Sequence, residues 1–129
     1  MSGFSAATIR ALKKRSRGLC EHCGLNPAQE AHHRQYRSRR GPDTLSNALH
    51  LCGFGNTSGC HGKAHAGVIG ETTGLAIRSG HHPDRVPYFR LFDGTWWRLD
   101  DEGGMESVKP EDAIEYLELI GAIKQGVKA

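Results

Sequence analysis

Residues 20–65 read CEHCGLNPAQEAHHRQYRSRRGPDTLSNALHLCGFGNTSGCHGKAH, and they hold all four cysteines and six of the eight histidines of a 129-residue chain. The cysteines fall into two pairs, Cys20-Glu21-His22-Cys23 and Cys52 to Cys60, the second with seven residues between its members. The chain starts MSGFSAATIRALKKRSR, without a secretory apolar segment, so the expected compartment is a reducing cytoplasm where disulfides do not persist. Two cysteine hooks there are metal arithmetic: four thiolates around a tetrahedral Zn²⁺, whose binding free energy becomes folding free energy. Gly24 permits the tight turn behind the first hook. The filling of the second, GFGNTSG, is rich in residues that tolerate positive φ.

The surroundings need such a staple. Leu, Ile, Val and Phe together make up 25 of the 129 residues, a thin supply for a core, while a net charge of only +3 argues against disorder. One domain is the expectation at this length. The longest apolar runs are a few residues, so neither a membrane span nor a lipid anchor has support. The small net charge conceals an asymmetry. Residues 1–65 carry ten Lys/Arg against three acids, +7, and the remainder seven against eleven, −4. A basic segment dense in metal-ligand residue types suits an anionic polymer as partner.

The order His32-His33, Asn47 before the apolar run Leu49-His50-Leu51-Cys52, then Cys60-His61, resembles the signature of HNH endonucleases. It is most similar to the small HNH proteins of bacteriophages, in which a four-cysteine zinc clasps the catalytic element. The resemblance covers roughly residues 15–66. It implies a zinc-stabilised ββα-metal (His-Me finger) element and hydrolysis of DNA phosphodiesters to 5′-phosphate and 3′-hydroxyl ends. It also implies that His33 is the general base, since an imidazole can take a water's proton near neutral pH. His32 and His61 would hold a catalytic divalent ion. His65 lies four residues beyond His61, so on a helix the two imidazoles share a face, a spacing suited to one ion. Three imidazoles favour Mn²⁺, Ni²⁺ or Zn²⁺ over Mg²⁺, which prefers oxygen ligands. Asn47 would orient the loop carrying His33 or bind metal itself; the orienting role is preferred. Neighbours in a strand face opposite sides, so His32 and His33 need a twist or a strand end to serve one site. The resemblance, not the spacing, chooses His33 as the base. His50, between two leucines, reads as a strand residue, and His22 as a solvated knuckle residue.

Arg34, Arg37, Arg39, Arg40 and Lys63 are expected phosphate contacts, with Arg34 or Arg37 reaching the scissile phosphate. Upstream, Ser5 can cap a helix ending near Gly18. On it Arg10, Lys13, Lys14 and Arg17 fall at i, i+3, i+4 and i+7, one basic stripe to follow a DNA backbone, with Ile9 and Leu12 turned inward. After His65, GETTG reads as a turn, LAIR as a short strand and SGHHPDRVP as a loop. YFRLF and TWWRL flank Asp93-Gly94 as a two-residue hairpin signal, with Phe89, Leu91, Trp97 and Leu99 lining a face. A helix begins at Pro110 with Glu111 and Asp112 in its first turn and Ala113, Ile114, Leu117 and Ile120 as its apolar stripe.

The expectation is therefore an α+β protein: residues 1–66 as basic helix and zinc-clasped nuclease element, and 67–129 as hairpin and C-terminal helix packed on it. It would be a DNA endonuclease acting on double-stranded DNA as a monomer or weak dimer. The phage resemblance adds terminase subunits and genome packaging as a setting. The competing expectation is a noncatalytic zinc module that binds DNA or protein and keeps the nuclease frame as scaffold.

Overall fold

A computed structural model describes residues 3–55 and 57–124. The chain is mixed helix and sheet. Helix α1 (Ala6–Ser16) starts where the Ser5 hydroxyl accepts the Thr8 N–H at 3.1 Å, and stops at Arg17, whose left-handed backbone returns its N–H to Lys13. Leu12 is buried and packs with Phe4, Leu45 and Ala48, while Arg10, Lys13, Lys14 and Arg17 are exposed. Arg15 turns inward instead. Its guanidinium pairs with Glu21 through two 2.8 Å bonds and also reaches the Leu45 and Ala48 carbonyls. Glu21 in turn accepts the His50 N–H, so a buried ion pair ties α1 to the strand beneath it. Removing one partner of such a pair strands the other charge, typically at a cost of about 3–5 kcal/mol.

Strands β1 (Glu30–His33) and β2 (Ala48–Leu51) pair antiparallel from Glu30↔Leu51 to His33↔Ala48. Helix α2 (Gly59–Ala64) follows, and a second short helix, α3 (Val68–Thr72), packs on it. GETTG, expected as a turn, is thus largely helical. Gly70 lets the two helices close, because a Cβ there would stand 2.3 Å from the Ala64 carbonyl oxygen. LAIR forms no strand: among the described residues its β pairing is a single parallel bridge, Gln35↔Ile77. Its backbone oxygens, with that of Gly74, are engaged by the side chains of His32, Arg34 and Arg39 rather than by a ladder.

The second sheet has three antiparallel strands, β3 (Tyr88–Arg90), β4 (Thr95–Leu99) and β5 (Met105–Val108), the last not anticipated. Arg90 pairs with Thr95, so residues 91–94 form the loop and the two-residue turn is corrected to four. Asp93 accounts for it: its carboxylate accepts from Arg90 and Thr95, and pairing ends there. Both faces of this sheet are covered. Tyr88, Trp97 and Leu99 face the cysteines, whereas Phe89, Trp96 and Val108 face helix α4 (Pro110–Leu119) through Ala113 and Leu117. Phe89 therefore lies on the opposite face from Trp97 and Leu99, and Leu91 is exposed in the loop. Among the described residues no helix is long and apolar enough to cross a membrane.

Candidate metal centres and the histidine cleft

The two cysteine hooks meet. Cys20, Cys23, Cys52 and Cys60 are all buried, and their sulfurs lie within 4.8 Å of one another. Cys23 and Cys52 stand 3.8 Å apart, which matches the roughly 3.8 Å edge of a tetrahedron with Zn–S bonds of about 2.3 Å. The Cys60 N–H and the Asn26 amide both point at the Cys52 sulfur, the donors a thiolate needs. The hooks bend where glycine allows it: Gly53 has φ +93°, and a Cβ there would sit 2.0 Å from the Ser58 carbonyl oxygen. Hydrogen bonding from Cys60 draws the Cys20 thiol down to about 4, while that bond and burial push Cys60 up. One thiolate forms readily and a second is opposed by the first, which is the situation a cation relieves. The chain thus presents a buried four-cysteine cluster that could hold a structural metal such as zinc.

His22, expected as solvated, is corrected: it is buried with Nδ1 2.7 Å from the Phe89 carbonyl oxygen, fastening the first hook to β3. Burial lowers its pKa and keeps it neutral. His50 is a strand residue, its Nδ1 2.7 Å from the Ser16 hydroxyl.

A second cluster lies one residue beyond Cys60. His32 on β1, His61 on α2 and His65 at the end of α2 each bring one ring nitrogen within 4.8 Å of the others. Three ring nitrogens this close could share one first-row ion. Each ring is already held. His32 Nε2 donates to the Leu75 carbonyl at 2.7 Å, which leaves the Nδ1 lone pair for a ligand. Burial, with the neighbouring histidines, depresses its pKa to about 3, so it is neutral at physiological pH. His61 Nδ1 donates to Glu30 at 2.8 Å and leaves Nε2. His65 stacks on Tyr36 with centroids 4.8 Å apart, and the Tyr36 hydroxyl is fixed by the Ala64 carbonyl.

These rings, with His33, Tyr36 and Arg37, line a cleft of about 220 Å³. The strand ends at His33, which is how two consecutive histidines reach one cleft. His33 stacks face to face on Phe4 at 4.0 Å, and its Nε2 lies 2.8 Å from an Asp43 oxygen. Asn47 does not enter the cleft. Its Oδ1 accepts the Gln35 N–H and its Nδ2 donates to the Gln35 and Pro42 carbonyls, closing the loop 34–47 at its base.

The arginines divide. Arg37 is exposed on the cleft, and Arg40 and Lys63 are also exposed. Arg34 is corrected: it is fully buried, and its guanidinium donates to the carbonyls of Gly74, Ser46, Pro83 and Val86, so it cannot meet a phosphate. Arg39 lies over the Tyr36 ring at 4.5 Å, donates one bond to the Ile77 carbonyl and stands 3.9 Å from the Glu71 carboxylate, which turns it toward the 71–77 segment. A groove of about 400 Å³, lined by Ile9, Leu12 and Lys13 of α1 with Gln29 and Glu30, shares Ala31 and His61 with the cleft. Sequence reading passed over Glu30, Tyr36, Asp43 and Phe4. Glu30 alone carried a local signal, two residues before His32 on the same strand. Comparison with protein-family models, curated proteins and solved structures returns no match for this chain.

Proposed function

We propose that this chain is a metal-dependent DNA endonuclease whose β1–β2–α2 unit is a ββα-metal element of the HNH type, clasped by zinc on the four cysteines. The observation that carries the reading is the convergence of His32, His61 and His65 beside His33, with ring nitrogens pre-set by Leu75 and Glu30. A scaffold alone would need only the cysteines. A divalent ion held by the three imidazoles would supply the Lewis-acid charge that a phosphoryl transfer needs on the phosphate and the departing 3′ oxygen. The rest falls to side chains. His33 accepts the proton of the attacking water. Arg37 holds a non-bridging phosphate oxygen through its paired N–H groups. Lys13, on the groove that leads to His61, and the other α1 cations follow the DNA backbone without reading bases. Asn47 holds the loop rather than the ion, because its amide groups are engaged by Gln35 and Pro42.

The test is cleavage of supercoiled plasmid by protein with its cysteine zinc in place, titrated with Mg²⁺, Mn²⁺, Ni²⁺ and Zn²⁺. Cleavage that requires added metal and drops by at least about 100-fold in His33→Ala, the scale of a lost general base, is the expected result. Folded, DNA-binding protein that cuts with none of these ions would replace the nuclease with a noncatalytic zinc module.

A further inference from the structure

A general base works only if its lone pair sits where the water will be, and a neutral imidazole can place that lone pair on either nitrogen. His33 has this choice removed. Its Nε2 lies 2.8 Å from Asp43 Oδ1, and an ionised carboxylate can only accept, so the neutral ring carries its proton on Nε2 and its lone pair on Nδ1. The ring plane is set independently. Phe4 lies parallel to the imidazole within 13° at 4.0 Å and is itself embedded against Leu12, Leu45 and Ala48. Gly3 has φ +86°, and a Cβ there would come within 3.0 Å of Asp43 Oδ1, so the strap entering α1 lies directly on the carboxylate.

Asp43 belongs to the loop that Asn47 closes. Asn47 bonds the carbonyl of Pro42, the residue before Asp43, and both backbone groups of Gln35, two residues after His33. Asn47 thus affects the histidine without touching it, by fixing the distance between the strand that carries the ring and the carboxylate that orients it.

We propose that Asp43 and Phe4 are positioning residues for His33, Asp43 selecting the Nε2–H tautomer and Phe4 the ring plane, so that Nδ1 is presented to the cleft. This rests on the reading of His33 as general base. In Asp43→Asn the side chain can offer Nε2 either its oxygen or its NH₂, and the tautomer is no longer selected. A mis-set tautomer costs about 10⁴-fold where the orienting aspartate is buried, as in the serine protease triad. Half-exposed Asp43 sets a smaller penalty.

The experiment pairs a structural and a kinetic measurement. Long-range ¹H–¹⁵N correlation above pH 8, on zinc-loaded protein, reads the His33 tautomer directly. Wild type is expected as Nε2–H, and Asp43→Asn as a mixture. In plasmid cleavage Asp43→Asn should lower kcat by about 10–100-fold, the range for groups that orient a functional histidine, with KM and DNA affinity unchanged. Phe4→Leu should lower kcat severalfold with the tautomer retained. An Nδ1–H tautomer in wild type, or wild-type kcat in Asp43→Asn, overturns the proposal while leaving the nuclease intact. Wild-type protein that binds DNA and cuts with no ion overturns the nuclease reading, and the positioning role falls with it even if the tautomer is as expected.

Discussion

Replacing Arg34 with Met separates a buried arginine from one proposed to bind phosphate. The guanidinium is fully buried and, among the described residues, pairs with no carboxylate; it donates to four backbone carbonyls drawn from residues 46, 74, 83 and 86. Burial, with the nearby Arg15 cation, pulls its pKa down to about 9, so the interior disfavours the charged form and the four carbonyls hold it there. Met fills the space and brings no buried charge, but it leaves four buried carbonyls without a donor, at about 1–3 kcal/mol each, of which the relief of the buried charge offsets a part. The expected balance is a destabilisation of about 3 kcal/mol, the scale for breaking a buried hydrogen-bond network. For a chain of this size that lowers Tm by roughly 12 °C. The assay is calorimetric unfolding of zinc-loaded Arg34→Met beside Arg37→Ala, with DNA affinity measured from 50 to 200 mM salt at a temperature where both are folded. Arg34→Met should melt early and keep the wild-type salt slope. Arg37→Ala should melt normally and lose about one phosphate's worth of slope. An unshifted Tm in Arg34→Met with weakened, less salt-dependent DNA binding would refute the burial argument and return Arg34 to the DNA surface.

Two further predictions concern the candidate metal centres. Cys20→Ser should abolish zinc retention and cooperative unfolding together, because the cysteine cluster lies in the same core as Leu49, Leu51, Tyr88 and Leu99; a zinc-free variant that unfolds cooperatively near the wild-type Tm would contradict the staple. Glu30→Gln should weaken divalent-ion binding at the three histidines by about 10–100-fold, measured by titration calorimetry, with the cysteine zinc undisturbed. The carboxylate accepts both the His61 Nδ1–H and the Gly55 N–H, so it fixes the ring and the loop of the second hook at once. Unchanged affinity would show that α2 alone orients His61.

The features legible from the chain are those set by near neighbours in sequence. The cysteine hooks, the i, i+4 pair His61 and His65, the Ser5 cap and the basic stripe of α1 all follow from spacing along a turn or helix, although Glu30, 31 residues away, sets the His61 ring. The sheet beyond Arg90 was half legible for the same reason: Asp93-Gly94 marks a reversal, but its length is decided by the Asp93 carboxylate holding Arg90 and Thr95. What the tertiary structure decided is which charged and polar side chains lose contact with water. Arg34 and Arg37 are alike as residues on a basic segment; one is enclosed by carbonyls from segments 12 to 52 residues away, and the other borders the cleft. Asp43 meets His33 across a loop that Asn47 closes, and Leu75 fixes the His32 tautomer from 43 residues away. Charge and hydrogen-bonding capacity belong to the residue, but solvent exclusion and the identity of the partner belong to the packed chain, and those decide whether a cation, a carboxylate or an imidazole is structural or chemical.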